Sequence, residues 1–209
     1  MKELFKTAYH QNKWLNLVKP YTVKEGYNWL KGPLLKVDWY HWVWNSYNVP
    51  KHSFIAWMLM LGKLKTRERL KAAEVVSEDR CVLCYDEVET SQHLFFNCHW
   101  SKIVCKKIMQ WMGIRMGTHE TIYTSWRKWG IQCRSRNRQK SYYAVLTAMV
   151  YHLWMYRNHA FWCDAVRSPE NIMQEIKSEI RHRLQGCVTM KWTREDRNWL
   201  SNIVIDENV

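Results

Sequence analysis

Between Cys81 and Cys98 the chain reads C-V-L-C-Y-D-E-V-E-T-S-Q-H-L-F-F-N-C, a C-x2-C pair, then eight residues, His93, four residues and Cys98. Three thiols and one imidazole make up the four donors of a closed tetrahedral zinc site. No hydrophobic run in the chain constrains the fold as tightly, because an ion held by four side chains fixes their relative positions directly. The spacing places Cys81 and Cys84 on a tight turn, a zinc knuckle. Thr90 or Ser91 has the character of an N-cap, so His93 is expected in the first turn of a short helix that carries Cys98. The two are slightly more than one helical turn apart, so both can face one ion if the helix ends or bends near Asn97. Leu94, Phe95 and Phe96 are expected to pack on the protein side. A set of buried free thiols beside an unrelated histidine remains the alternative.

The other cysteines, Cys105, Cys133, Cys163 and Cys187, are scattered at wide intervals, a pattern of free thiols in a reducing compartment. With 47% hydrophobic residues and 14 Trp, the 209-residue chain can bury a real core. Only 7 Gly and 4 Pro disfavour a turn-rich β-sandwich and favour helices. The longest apolar run, Phe54 to Leu61, is far short of the ~20 residues of a membrane span. No apolar stretch with a small-residue cleavage site follows Met1, so the expected location is intracellular, nucleus or cytoplasm, with no membrane partner.

The formal charge is +13. Between His99 and Cys163 stand Lys102, Lys106, Lys107, Arg115, Arg127, Lys128, Arg134, Arg136, Arg138, Lys140 and Arg157, against the single acid Glu120. Such a concentration attracts polyanions, of which nucleic acid is the commonest. A merely solvated basic face is the alternative, and anionic lipid a weaker one. Lys102, Lys106, Lys107, Arg134, Arg136, Arg138 and Lys140 are the candidate phosphate contacts. Tyr142 and Tyr143 are placed either to stack on bases or to fill a helix core. Glu87 and Glu89, inside the cysteine loop, read as solvated charges.

Along the chain, residues 1–20 form a lead-in. Thr22-Val-Lys-Glu25 is a capping box that opens a helix stopped by Gly32-Pro33. Trp39, Val43 and Trp44 form an apolar face. After Pro50, Phe54, Ile55, Met58 and Leu61 predict an amphipathic helix closed by Gly62. Thr66 caps a basic turn, Arg67 to Lys71. Ile103, Ile108 and Trp111 continue a helix to Gly113, and a looser segment, Gly117 to Gly130, contains Trp126 and Trp129. The strongest helix carries Tyr142, Leu146, Met149, Leu153, Tyr156 and Ala160, widened by Val145, Val150, Trp154 and Phe161, a stripe broad enough to be buried on most sides. Ser168-Pro169-Glu170 restarts a helix with Ile172, Ile176, Ile180 and Leu184 on one face. Thr193 begins a last helix through Trp199 and Ile203. The expected fold is mainly α: a helical domain over 21–112 with an inserted CCHC zinc knuckle, then a long-helix, basic C-terminal extension over 113–209.

These residues carry a resemblance. Tyr21-Thr-Val-Lys-Glu-Gly-Tyr27, Trp39 with Val43-Trp44, Val49-Pro-Lys-His-Ser-Phe-Ile-Ala-Trp57, Gly62-Lys-Leu-Lys-Thr-Arg-Glu-Arg-Leu70, Cys81-Val-Leu-Cys84 and Glu89-Thr-Ser-Gln-His-Leu-Phe-Phe-Asn-Cys98 follow in order. The segment resembles the zinc-binding domain downstream of the polymerase in plant LINE-type (non-LTR) retrotransposon reverse transcriptases. The likeness covers about residues 20–112 and continues weakly through Leu153-Trp-Met-Tyr-Arg-Asn158 and Phe161. It implies a zinc-stabilised module that helps hold template nucleic acid, with Cys81, Cys84, His93 and Cys98 at the ligand positions. Cys105 departs from it, standing where a tryptophan is usual. The chain reads as an isolated or domesticated fragment.

No enzyme is expected. There is no paired-aspartate polymerase motif and no acidic set of a ribonuclease H. A zinc deaminase needs His-x-Glu with Pro-Cys-x-x-Cys, and no His-x-Glu occurs. The expected function is a non-catalytic, zinc-stabilised nucleic-acid-binding module, with RNA ahead of DNA as partner. The alternative is a protein-protein interaction module that uses the aromatic helical surface.

Overall fold

The computed structural model describes residues 22–32, 37–114 and 133–205. The lead-in 1–20, the Gly117–Gly130 segment and the cations Arg115, Arg127 and Lys128 lie outside the described residues. The chain divides into two compact units, residues 1–37 and 38–209. In the first, α1 (Val23–Lys31) follows Thr22, whose carbonyl accepts the Gly26 amide at 3.1 Å.

Among its described residues the second unit contains α2 (Tyr40–Val43), α3 (Pro50–Met60), α4 (Arg67–Ala72), α5 (His99–Trp111), α6 (Arg136–Cys163), α7 (Pro169–Gln185) and α8 (Arg194–Ile205). Among the described residues there is no strand, only one antiparallel bridge, Arg80 to Val88. The fold is mainly α. Helix α6 packs on α2, α3 and α7, and α7 also packs on α5 and α8. Four-residue spacing explains the role of α7: Ile172, Ile176, Ile180 and Leu184 fall on one stripe and are all fully buried. Helix α6 has neighbours on several sides, and its stretch from Tyr143 to Val150 is buried throughout. Tyr143 therefore belongs to the core rather than to a stacking surface.

The helix ends are encoded locally. Ser135 accepts the Arg138 amide, Ser168 the Asn171 amide, and Thr193 the Asp196 amide, each satisfying a donor that the first turn leaves open. Gly62, at φ 60°, ends α3. Its amide donates to the Leu59 carbonyl at 2.9 Å and the Lys63 amide to the Met58 carbonyl at 2.8 Å, a Schellman stop that needs a left-handed residue.

Two expected faces are corrected. On α3 the buried residues are His52, Ser53, Ala56 and Leu59, while Phe54 and Leu61 are exposed. Apolar side chains run almost all the way round this helix, so their spacing cannot select a face. Polar contacts decide it: the Asn48 side-chain amide donates to the Ser53 hydroxyl at 3.2 Å and to the carbonyls of Trp42 and Val43 at 2.9 Å. Burial pushes the His52 imidazole down to about 4, so the ring is neutral near pH 7. Around α2, Trp42 and Val43 are buried and Trp44 is exposed, because that turn is pinned by the same Asn48.

Leu59→Ala is expected to lower unfolding stability by about 2–5 kcal/mol, the range for truncating a buried leucine. Leu61→Ala, on the exposed side, should stay under about 1 kcal/mol. Urea midpoints of the two variants check this; the reverse order would restore the face read from the apolar spacing.

Candidate metal centre

The cysteine loop is shaped by its own backbone. The Cys81 amide donates to the Glu87 carbonyl and the Tyr85 amide to the Cys81 carbonyl, both at 2.8 Å. Tyr85 takes a left-handed conformation, φ 60°, which reverses the chain directly after Cys84. Thr90 then caps the next segment, its hydroxyl accepting the His93 amide at 2.9 Å. The helix expected over His93–Cys98 is a π turn, His93–Asn97. The Cys98 amide donates to the His93 carbonyl at 2.7 Å, an i to i+5 bond. That wider turn places two side chains five positions apart on one side, as an α-helical turn would not. Cys98 then becomes the N-cap of α5. Leu94 and Phe95 are buried beneath the turn and Phe96 is partly buried.

The fold brings Cys81, Cys84, His93 and Cys98 together, with one donor atom from each within 4.8 Å of all the others. Such a spread suits a common centre at bond lengths of about 2.0–2.3 Å. Cys81, His93 and Cys98 are buried and Cys84 is partly exposed. His93 Nε2 lies 3.2 Å from Cys84 Sγ, and Nδ1 lies 2.8 Å from a Glu87 carboxylate oxygen. This pairing assigns the proton to Nδ1 and leaves Nε2 free as a donor, the usual outer-shell arrangement of a metal-binding histidine. The Cys81 thiol beside Cys98 holds the Cys98 thiol well below its usual range, helped against burial by the Ser101 and Trp100 amides. The same contact, with burial, pushes Cys81 up. Three thiols and one imidazole, packed this closely and largely shielded from water, fit a zinc-type ion. Cys84, Asp86 and His99 form another converging group, but Asp86 and His99 are exposed and Cys84 belongs to both sets. Cys105 lies outside the cluster; burial pushes its thiol up to about 12, and its Sγ approaches the Phe95 carbonyl at 3.7 Å.

Glu89, read as a solvated charge, is fully buried. The Arg67 amide, at the start of α4, donates to its Oε1 at 2.9 Å, so Glu89 rather than the Thr66 side chain caps that helix. Arg157 of α6 donates from Nε to the same oxygen at 2.8 Å, with a terminal nitrogen 2.6 Å away. Arg157 is buried between the rings of Trp154 and Phe161, 5.1 and 4.9 Å from their centroids. It is therefore a core cation rather than part of a polyanion-binding surface. Glu87 is largely exposed, yet it is tied to His93. Nothing in the local spacing signals the Glu89 contact, because its partner is 68 residues away.

The seven candidate phosphate contacts differ in their freedom. Lys107 pairs with Glu170 at 2.5 Å, and Arg138 Nε with the buried Asp196 at 3.0 Å. Lys140 reaches the Ser46 hydroxyl at 3.2 Å and sits over the Tyr47 ring. Lys102 is partly buried. Lys106, Arg134 and Arg136 are exposed and have no ion-pair partner among the described residues. Arg134 and Arg136 also line an open cavity of about 650 Å³, with Cys133, Arg138, Tyr142 and Asp196 among its other walls.

Fold and site together define a helical protein whose cysteine-rich loop, braced against the long helix, gathers three thiols and an imidazole that could hold a metal ion. Residues 21–104, which hold all four donors, match the family model described as zinc-binding in reverse transcriptase. Neither the curated proteins nor the solved structures compared with the chain gave a match.

Glu89→Gln is expected to cost about 3–5 kcal/mol of stability, because it leaves the Arg157 guanidinium buried without its counter-charge. In a double-mutant cycle, adding Arg157→Met should recover part of that loss; strictly additive losses in urea melts would disprove the coupling. Glu87→Gln should weaken zinc affinity by about 10-fold, the low end for an outer-shell partner, as read by competition with a chromophoric chelator.

Proposed function

We propose that this chain is a non-catalytic, zinc-stabilised nucleic-acid-binding module descended from a retrotransposon reverse transcriptase of the plant LINE type. The observation that carries the reading is the convergence of Cys81, Cys84, His93 and Cys98 within the segment that matches the reverse-transcriptase zinc-binding family. In it those four residues hold the zinc ion, and a full set of protein ligands leaves no position for a reacting water. The ion's contribution is to lock the loop from Cys81 to Cys98 and to set the direction in which α5 begins. Phosphate contact falls to the exposed cations with no ion-pair partner among the described residues, Arg134 and Arg136 at the rim of the cavity, with Lys106 on α5. Arg138, Lys107 and Lys140 act mainly within the fold. Unpaired RNA is the preferred polyanion ahead of DNA, and binding is expected to be largely independent of sequence.

A second reading, a protein-interaction module, has one observation in its favour. Trp44 and Phe54 are exposed and flank Trp57, with ring centroids 6.3 and 5.7 Å from it, an aromatic patch on the outer side of α3. Such a patch suits a partner's apolar anchor.

The test is a salt titration of binding to a single-stranded RNA oligonucleotide. Affinity should fall steeply with salt, and Arg134→Gln with Arg136→Gln should lower the log–log slope by about 1.4, roughly 0.7 per lost phosphate contact on a single strand. Removing the metal with a chelator should abolish binding together with the ordered loop, seen as lost amide-exchange protection over residues 79–98. A flat salt response in the wild type rejects the nucleic-acid reading, and a stable complex blocked by Trp44→Ser would favour the protein-interaction one.

A further inference from the structure

Away from the cysteines, α3, α6 and α7 bring His52, His152 and Glu179 to one point, with a donor atom of each within 4.8 Å of the other two. Glu179 Oε2 lies 2.7 Å from His152 Nε2 and 3.3 Å from His52 Nε2. The two imidazoles face each other edge to face, ring centroids 5.8 Å apart. His52 is fully buried, and neither of its ring nitrogens has a hydrogen-bond partner among the described residues. Its Nε2 is thus close to the carboxylate but out of line for a hydrogen bond. A buried imidazole left in this state loses its hydration without compensation. A cation between the three side chains removes that defect at Nε2.

We propose that His52 Nε2, His152 Nε2 and Glu179 Oε2 form a second metal site, for a divalent first-row transition ion such as zinc, separate from the cysteine cluster. Two imidazoles and one carboxylate are ligands that zinc and its neighbours accept, and three protein donors leave a fourth position for water. The surroundings orient the ligands. Lys51 Nζ holds the other Glu179 oxygen, Oε1, at 3.1 Å, so Oε2 is the one turned to both imidazoles, and the ion would take the place of the proton that it shares with His152 Nε2. The second nitrogen of His152, Nδ1, faces a Glu175 carboxylate oxygen at 3.8 Å, in the place of an outer-shell partner. Glu175 in turn lies 3.5 Å from Arg167. The Tyr151 ring, 4.6 Å from the His52 ring, closes another side. Each ligand comes from a different helix of the α3–α6–α7 pack, so the ion would cross-link the core that α7 organises.

The experiment is cobalt(II) titration of the full chain, stripped of metal under reducing conditions, followed by native mass spectrometry and absorbance. The wild type should take up two ions per chain, only one of them accompanied by a thiolate-to-cobalt charge-transfer band. Cys84→Ser should weaken that band and leave the ion without it in place. Glu179→Gln and His152→Gln should each reduce uptake to one ion with the band intact. Glu179 is partly exposed, so Glu179→Gln carries the test if the histidine variant fails to fold. A wild type that binds one ion only, or a second ion retained undiminished in Glu179→Gln, overturns the proposal.

Discussion

The buried carboxylate of Glu89 connects the parts of this protein. It lies in the loop that carries the four candidate metal donors, accepts the first amide of α4, and meets the Arg157 guanidinium from the C-terminal part of the core helix α6. Each charge is tolerable in the interior because the other is there, and because backbone amides occupy the carboxylate's remaining capacity. Such a pair adds little net stability over an apolar contact. Its effect is specificity: any arrangement that moves the loop away from α6 strands two charges in a low-dielectric core.

Order in the second unit has two physical sources. The helices α5 to α8 hold one another through burial, with the isoleucine ladder of α7 as the common contact. The segment between Arg80 and Cys98 has little apolar area of its own apart from Val82, Leu83, Leu94 and Phe95. Its shape comes from a few backbone hydrogen bonds, a left-handed Tyr85 and a π turn. A ligand set built on so small a base needs an external brace, and Glu89 provides one from the loop's own sequence.

The charge balance is less one-sided in space than along the chain. The formal +13 counts cations that the fold uses internally: Arg157 in the core, Arg138 against Asp196, Lys107 against Glu170 and Lys51 against Glu179. Asp196 is itself buried and takes hydrogen bonds from Ser135 and Asn137, so the start of α6 is stitched to the start of α8 by the run of residues that looks most like a polyanion-binding surface. Of the seven candidate phosphate contacts, Lys106, Arg134 and Arg136 are the exposed ones with no ion-pair partner among the described residues.

The sequence by itself determined the elements whose signals are local. The Ser135, Ser168 and Thr193 caps, the Gly62 stop, the four-residue spacing on α7 and the grouping of the four donors all follow from residues within a few positions of one another. An end or bend near Asn97 was legible as a way to let His93 and Cys98 face one ion, and the π turn over His93–Asn97 supplies it. Only the tertiary structure decided which face of α3 is buried, since an almost wholly apolar helix carries no phase of its own and Asn48 selects the side. It also decided that Glu89 and Arg157 are interior and that His52, His152 and Glu179 meet. Charged and imidazole side chains carry no mark of burial in their local pattern; a partner 27 to 127 positions away supplies it, and only packing reveals that partner.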